Sequence, residues 1–176
     1  MNEIDIPVEA YIPEQNKTLT SELTTDEKRD SGIKTQLAEI VEVAFIGDPL
    51  TEKSGVNFIA DMPKSMYQHP DNMIIIARDE DNPEVIQGFS FIEKVDEDTY
   101  YENIIAVRRQ NAGYGTKITE AQQKALEERN ARYLIIHVDK DKGYAKTLKE
   151  KYETVEPDLW AQEQAQPHQE TLKLVL

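Results

Sequence analysis

The stretch that decides the fold reads Arg108-Arg109-Gln110-Asn111-Ala112-Gly113-Tyr114-Gly115-Thr116. It follows a strand-like run, Glu102 to Val107, and leads directly into a helix-like run. A strand that stops at a glycine turn and opens a helix leaves backbone N–H groups unpaired at the helix N-terminus, where the macrodipole also favours negative charge. The stretch therefore predicts a turn that binds phosphate groups.

Two better-known phosphate motifs do not match this turn. The dinucleotide fingerprint needs a third glycine three residues after Gly115, where Ile118 stands. The Walker loop needs a Gly-Lys-Ser/Thr ending, which is also absent. What remains is the pattern Gln-x-x-Gly-x-Gly at Gln110, Gly113 and Gly115. A tight turn with glycines for steric reasons alone is the competing interpretation of these letters.

Apolar spacing predicts the elements on either side of the turn. A cap at Asp30-Ser31 opens a first helix that ends at Gly47, and a weaker pattern over residues 51–72 allows a short helix broken by Pro63. Three antiparallel strands then follow in a meander, over residues 73–77, 85–95 and 99–107. Next come a helix over 116–131, a buried strand over 133–138, a helix over 143–152, and extended segments over 154–160 and 171–176. The strand, turn, helix and strand from 99 to 138 predict a βαβ unit with parallel strands.

Length and composition bound the organisation of the chain. With 176 residues and 39% hydrophobic residues, we expect a single domain over residues 31–176. Residues 1–30 are rich in acidic and polar residues, and we expect an arm that gains order only by docking. The apolar tail over residues 172–176 could either close the sheet or pair between two subunits, so a homodimer is a possible assembly.

The charge and the residue inventory exclude several classes of function. A formal net charge of −14 argues against nucleic acid or an anionic membrane as a partner and favours cationic amines; a role in solubility alone is the competing interpretation. Because there is no cysteine, the chain has no disulfide, thiolate zinc site or cysteine nucleophile. The three histidines make no ligand pair, so we predict no metal, and His137 falls in a buried strand pattern typical of a core histidine. The chain starts without a signal-peptide pattern and has no stretch of 18 apolar residues, so we expect a cytoplasmic protein.

The pattern from Gln110 to Gly115 resembles the acetyl-coenzyme A motif of the GNAT-type N-acetyltransferases. A second block of that family, Val-x-x-x-Asn-x-x-Ala-x-x-Leu-Tyr, is matched in spacing by Val138, Ala145 and Leu148. The element order also resembles that of the family. The resemblance implies an α/β (α+β) fold with a GNAT-like mixed central sheet, an antiparallel N-terminal meander, a βαβ unit around the cofactor turn, and helices on both faces.

The sequence departs from the family pattern in three places. Lys142 stands where the family has Asn, and Lys149 stands where it has a Tyr that often protonates the leaving thiolate. The connection over residues 107–113 is also about two residues shorter than usual and has no proline. Tyr144 and Tyr152 therefore become the candidates for the general acid, with core tyrosines as the competing interpretation.

The resemblance implies transfer of an acetyl group from acetyl-CoA to a primary amine, either a small cationic amine or a protein amine, by direct attack. The predicted catalytic residues are Glu102 as the base and the two tyrosines as acids, although Glu102 also fits an exposed strand carboxylate. The backbone over residues 105–107 is predicted to hold the thioester oxygen, and the turn to hold the pyrophosphate. The predicted cofactor-binding residues are Ile105, Val107, Arg108, Arg109, Gln110, Asn111, Ala112, Gly113, Tyr114, Gly115 and Thr116.

Two other functions fit the same sequence. One is a catalytically inactive GNAT-like scaffold that serves as an acidic interaction module or decoy protein, consistent with the net charge of −14 and the missing Tyr. The other is an enzyme of the same fold with a different acyl donor, because the turn recognises the pyrophosphate and not the acyl group.

Overall fold

The computed structural model describes residues 8–11, 25–46, 53, 57, 59, 71–140 and 143–176. In chain order, the helices and strands of these residues are β1 (Val8–Tyr11), α1 (Thr25–Ala44), β2 (Met73–Arg78), β3 (Ile86–Lys94), β4 (Thr99–Val107), α2 (Tyr114–Glu127), β5 (Tyr133–Asp139), α3 (Gly143–Lys151), β6 (Thr154–Val155), α4 (Leu159–Gln164) and β7 (Gln169–Val175).

The chain divides into two compact units. The first consists of Met1–Phe91 and Ile104–Gln122, and the second of Ile92–Asn103 and Gln123–Leu176, so β3, β4 and α2 contribute residues to both. The strand order is β1-β2-β3-β4 in the first unit and β3-β4-β5-β7-β6 in the second. β4 and β5 are parallel, while β1 pairs with β2, and β7 with both β5 and β6, in antiparallel fashion.

The core of the first unit lies between α1 and the strands. Ile33, Leu37, Ile40 and Val41 recur at helical spacing on α1, and all four are buried. They pack on buried residues of β2, β3 and β4, namely Ile74, Ile76, Ile86, Phe89, Phe91 and Ala106. Burial of this apolar stripe fixes the face of α1 that meets the strands.

Gly88 on β3 allows a close approach between that strand and its neighbours. A Cβ atom at this position would lie 2.8 Å from Val107 Cγ1, 2.9 Å from Ile118 Cδ1 and 3.0 Å from the carbonyl oxygen of Ala106. The first turns of α2 can therefore pack closely against β3 at Gly88, because glycine has only a hydrogen atom where other residues have a Cβ atom.

A hydrogen-bonded turn joins β3 to β4. The Val95 and Asp96 N–H groups both donate to the Thr99 carbonyl, at 2.9 Å and 3.3 Å. Near the start of β3, the Arg108 N–H donates to the Gln87 carbonyl at 2.7 Å.

The predicted fold class is confirmed: the strands form a mixed arrangement with a parallel β4-α2-β5 unit. The apolar tail over residues 172–176 belongs largely to β7. This strand lies between β5 and β6, so both of its edges are paired within the chain. Pairing of this strand with a second subunit was therefore the wrong alternative. The short strand β6, with two residues, occupies the edge of this unit instead.

Several predicted boundaries differ from the structure. α1 begins at Thr25, before the predicted cap at Asp30-Ser31. α2 begins at Tyr114, two residues earlier than predicted. Residues 159–160 are helical and not extended, because the Asp158 carbonyl accepts hydrogen bonds from the Ala161 and Gln162 N–H groups at 3.1 Å and opens α4.

Some predictions fall on other parts of the chain. The second helix expected over residues 51–72 lies largely outside the described residues, as does Lys142. The division into an arm over residues 1–30 and one domain over residues 31–176 stays a prediction.

Candidate functional site

The glycine turn connects β4 to α2 as the sequence predicts. β4 ends at Val107 and α2 begins at Tyr114. Two residues of the turn have left-handed backbones, Asn111 with φ of 60° and Gly113 with φ of 85°. Glycine adopts this conformation without a steric cost and asparagine tolerates it better than most residues. The residue types of the turn thus match its backbone.

The backbone N–H groups of this turn are available to a ligand. Among the described residues, no backbone carbonyl accepts a hydrogen bond from the N–H groups of residues 113–116, and the first helical bond runs from the Lys117 N–H to the Gly113 carbonyl at 3.1 Å. The first turn of α2 contains no acidic residue that could occupy this position. Free N–H groups and the positive end of the helix dipole form a site for an anion such as phosphate.

The basic side chains near the turn are engaged elsewhere. The Arg108 guanidinium donates from Nη2 to Glu39 Oε2 at 2.7 Å and from Nε to the Ile86 carbonyl at 3.0 Å. Lys117 Nζ lies 3.5 Å from Glu120 Oε2. Arg108 therefore anchors the turn to α1 and β3.

An acidic turn lies beside this site in the first unit. The Gln87 amide donates to Asp79 Oδ2 at 2.7 Å, and this bond lowers the pKa of Asp79, with smaller contributions from the Asp81 and Asn82 N–H groups and the charge of Arg109. Burial raises the pKa of Tyr114, and the charge of Asp79 raises it further. Negative charge therefore lies close to the N-terminus of α2.

The predicted site residues fall into two groups. Ile105, Val107 and the turn over residues 108–116 belong to the first unit, where they are continuous in the chain. Glu102, Tyr144 and Tyr152 belong to the second unit. Glu102 is buried on β4 and pairs in register with Ile136 of β5.

The two predicted acids have different environments. The Tyr152 hydroxyl donates to Gln123 Oε1 at 2.7 Å, and Lys151 Nζ lies 5.0 Å from the centre of the Tyr152 ring. Tyr144 is 38% exposed on α3. Tyr152 is thus oriented by a neighbour on α2, and Tyr144 is partly exposed.

Sequence reasoning missed a buried hydrogen-bonded chain in the second unit. The Tyr101 hydroxyl lies 3.2 Å from His137 Nδ1, and His137 Nε2 lies 2.8 Å from the Ala161 carbonyl oxygen. A carbonyl can only accept, so the imidazole proton sits on Nε2 and Nδ1 accepts from the tyrosine. The Trp160 ring meets the Tyr101 ring edge-on, with centroids 5.7 Å apart.

These hydrogen bonds could not be predicted from spacing along the sequence. Tyr101 and His137 are 36 residues apart and meet because β4 and β5 run parallel, with Tyr101 in register with Ile135. One indication was present in the sequence: His137 lies in an otherwise apolar strand. That position predicts that the ring has a hydrogen-bond partner, but it does not identify the partner.

Known proteins resemble this chain in structure and not in sequence. No family model and no curated protein sequence matches the chain. Its structure matches the PaiA N-acetyltransferase from Thermoplasma acidophilum in complex with coenzyme A, with a TM-score of 0.62 and 8% identity over 97% of this chain and 99% of that one. A GNAT-family acetyltransferase from Staphylococcus aureus gives 0.63 and 12% over 96% and 98%.

The chain has the fold of the GNAT acetyltransferases. The aminoglycoside 6'-N-acetyltransferase from Enterococcus faecium also shares this fold, with a TM-score of 0.58 and 12% identity over 85% of this chain and 92% of that one. The three matches thus cover between 85% and 97% of this chain, at sequence identities of 8% to 12%.

Metal ligands and membrane-spanning helices are both absent from the described part of this GNAT fold. Its residues contain no group of three or more His, Cys, Asp or Glu side chains placed to hold a metal ion. None of the described helices is long and apolar enough to cross a membrane.

The His137 ring predicts a pH dependence of stability in this GNAT fold. Burial lowers the pKa of His137, against a smaller opposite contribution from the Ala161 carbonyl. Below about pH 6.5 the unfolded chain therefore binds a proton that the folded chain does not, so the contribution of His137 falls as the pH falls. We expect the free energy of unfolding in urea to drop more between pH 7.5 and 5.5 in the wild type than in His137→Gln.

The control for this prediction is the same comparison between pH 7.5 and 8.5, where the His137 ring is neutral in both the folded and the unfolded chain. There the wild type and His137→Gln should change in parallel. Equal dependence in wild type and His137→Gln would show that His137 does not resist protonation.

Proposed function

We propose that this protein is an N-acetyltransferase that moves an acetyl group from acetyl-CoA to a primary amine, either a small cationic amine or a protein amine. The observation that carries the proposal is the row of backbone N–H groups over residues 113–116, at the N-terminus of α2, that no described carbonyl accepts. The GNAT fold supports it, as does the coenzyme A present in the Thermoplasma structure that shares this fold.

The turn fits the phosphate groups of such a substrate. Gly113 has no side chain to cover the N–H groups, and the first turn of α2 has no acidic residue to compete for them. Residues 110–115 would hold the pyrophosphate through their amides, and the backbone of Ile105 and Val107 would hold the thioester oxygen.

The reaction would be direct acyl transfer. The amine nitrogen attacks the thioester carbonyl carbon, a C–N bond forms, the C–S bond breaks, and coenzyme A leaves as the thiol after taking up a proton. We propose that Glu102 accepts the proton that the attacking amine loses, and that Tyr152 or Tyr144 protonates the sulfur. No cysteine takes part, because the sequence has none.

The two tyrosines can be separated by single substitutions. We expect Tyr152→Phe to lower kcat about 100-fold with acetyl-CoA binding unchanged, because loss of a general acid typically costs this much. Tyr144→Phe, at the exposed position, is the matched control and should change kcat less than about threefold. Release of the coenzyme A thiol measures both rates, and the reverse ranking would assign the acid to Tyr144.

Calorimetric titration with acetyl-CoA at near-physiological salt tests the binding step. Desulfo-coenzyme A should bind as well, since the amides recognise the phosphate groups, whereas a dephosphorylated analogue without the pyrophosphate should not. Absence of binding by folded protein would refute the proposal. Comparison with longer acyl thioesters then tests the other enzymatic hypothesis, an enzyme of the same fold with another acyl donor.

An acidic interaction module is the alternative function. The ion pair of Arg108 with Glu39 favours it, because it offsets positive charge beside the turn in a protein of net charge −14. Such a decoy would bind basic, nucleic-acid-binding proteins in a salt-sensitive way. Binding of a lysine-rich protein that weakens with added salt, together with no binding of acetyl-CoA, would favour the module.

Location and assembly are also proposals. The cytoplasm is the proposed location. A homodimer is the proposed assembly, and equilibrium sedimentation would measure it directly.

A further inference from the structure

One side chain of α1 holds the start of β3 in the way that a neighbouring strand would. The Gln36 side chain accepts a hydrogen bond from the Ile86 N–H through Oε1 at 2.8 Å. It also donates from Nε2 to the Glu84 carbonyl at 3.1 Å. The oxygen and the nitrogen of one amide are thus both used on residues 84–86, which leaves this amide a single orientation. The contact therefore fixes the start of β3 against α1.

Arg108 joins this contact at the point where β4 ends. Its backbone N–H donates to the Gln87 carbonyl at 2.7 Å, and its Nε donates to the Ile86 carbonyl at 3.0 Å. Its Nη2 donates to Glu39 Oε2 on α1 at 2.7 Å. Because the N–H groups of a guanidinium form a rigid, planar fork, these bonds hold α1, β3 and the end of β4 in one arrangement.

The residues of this contact lie directly before the glycine turn. We call them the clasp: Gln36, Glu39, Ile86 and Arg108. No described carbonyl accepts a hydrogen bond from the N–H groups of residues 113–116, so the elements at the two ends of the turn decide where these groups lie. At one end α2 packs closely on β3, with Ile118 beside Gly88. At the other end the chain leaves the clasp at Arg108.

The charge of Glu39 and its position predict opposite effects on an anion at the turn. The Glu39 and Arg108 side chains are 52% and 23% exposed, so water screens the pair and its direct contribution to stability is small. If Glu39 acted by its charge alone, it would repel an anion, and its removal would strengthen binding. If Glu39 acts by holding Arg108, its removal weakens binding.

We propose that Gln36 and Glu39 are positioning residues that set the affinity of the glycine turn for its anion through Arg108. Glu39 holds the guanidinium, and Gln36 holds the strand to which Arg108 bonds. All of these residues and the turn belong to the first unit. The consequence for acetyl-CoA rests on the proposed function, whereas the rigidity of the turn does not.

Backbone relaxation of the Gly113 and Gly115 N–H groups, measured by ¹⁵N NMR on the ligand-free protein, tests the positioning directly. Gln36→Met removes both amide hydrogen bonds with little change in size and none in charge. We expect the heteronuclear Overhauser effect of both glycines to fall, because the turn gains motion on the nanosecond scale. Ile40→Val is the matched control: it removes a methyl group from the buried face of the same helix and should leave both glycines unchanged.

The sign of the effect of Glu39 separates position from charge. We expect Glu39→Gln to weaken acetyl-CoA binding about threefold to fivefold in calorimetry, although the protein becomes less negative. Glu42→Gln makes the same charge change at an exposed position of α1 and should stay within about twofold of the wild type. Arg108→Lys keeps the charge but loses the planar fork, and should weaken binding about threefold to tenfold.

The outcomes separate the clasp from the proposed function. Unchanged relaxation of both glycines in Gln36→Met overturns the positioning role whether or not acetyl-CoA binds. Where acetyl-CoA binds to the wild type, equal or tighter binding by Glu39→Gln overturns it as well. A more mobile turn in Gln36→Met, together with no binding of acetyl-CoA by the wild type, supports the positioning role and refutes the acetyltransferase.

Discussion

Gly113→Asp is expected to lower the affinity for acetyl-CoA about 30- to 100-fold. Gly113 has a φ of 85° in the turn whose N–H groups are free. A carboxylate there would accept hydrogen bonds from the same amides and repel the pyrophosphate at the positive end of the α2 dipole. A loss of about 2–3 kcal/mol corresponds to this change in the dissociation constant, which calorimetry measures.

Gly113→Asn is the matched control for the charge. Asparagine has nearly the same size as aspartate and tolerates a left-handed backbone, as Asn111 already does in this turn with φ of 60°. It should bind acetyl-CoA at least about tenfold more tightly than Gly113→Asp. If both variants bind as the wild type does, the pyrophosphate does not lie on this turn and the proposed function loses its main support.

Gly88→Ala is expected to destabilise the protein by about 2–3 kcal/mol. The new methyl group would lie 2.8 Å from Val107 Cγ1, 2.9 Å from Ile118 Cδ1 and 3.0 Å from the Ala106 carbonyl oxygen. One of these neighbours is backbone and cannot rotate away, so β4 or α2 must shift. Urea unfolding followed by circular dichroism measures the loss as a lower midpoint.

Gly32→Ala is the same chemical change at a site without close neighbours. Gly32 lies within α1 and is exposed, and a methyl group added there would meet no described atom within 4 Å. Alanine is the better helix former, so this variant should be stabilised by about 0.5–1 kcal/mol. Destabilisation by both variants to the same extent would mean that contact at Gly88 is not the cause.

The sequence predicted those parts of the fold that depend on local spacing. The order of elements from β2 to α3 follows from apolar periodicity and from the turns at Asp79, Asp96 and Gly113. The helix α4 was not predicted, because Leu159 and Trp160 suit a strand as well as a helix; in the structure the Asp158 carbonyl accepts the first hydrogen bonds of this helix. The position of β7 in the interior of the second unit depends on long-range pairing, because it forms hydrogen bonds with β5 on one edge and with β6 on the other.

The amino-acid sequence by itself determined the glycine turn, since the conformation of Gly113 and the free N–H groups follow from the few residues between β4 and α2. Only the tertiary structure decided what surrounds it. Arg108 reaches Glu39 across 69 residues, and Tyr101 reaches His137 across 36, because α1 packs on the strands and β4 runs parallel to β5. Local conformation is encoded by neighbouring residues, whereas ion pairs and buried hydrogen bonds form wherever burial brings distant segments together.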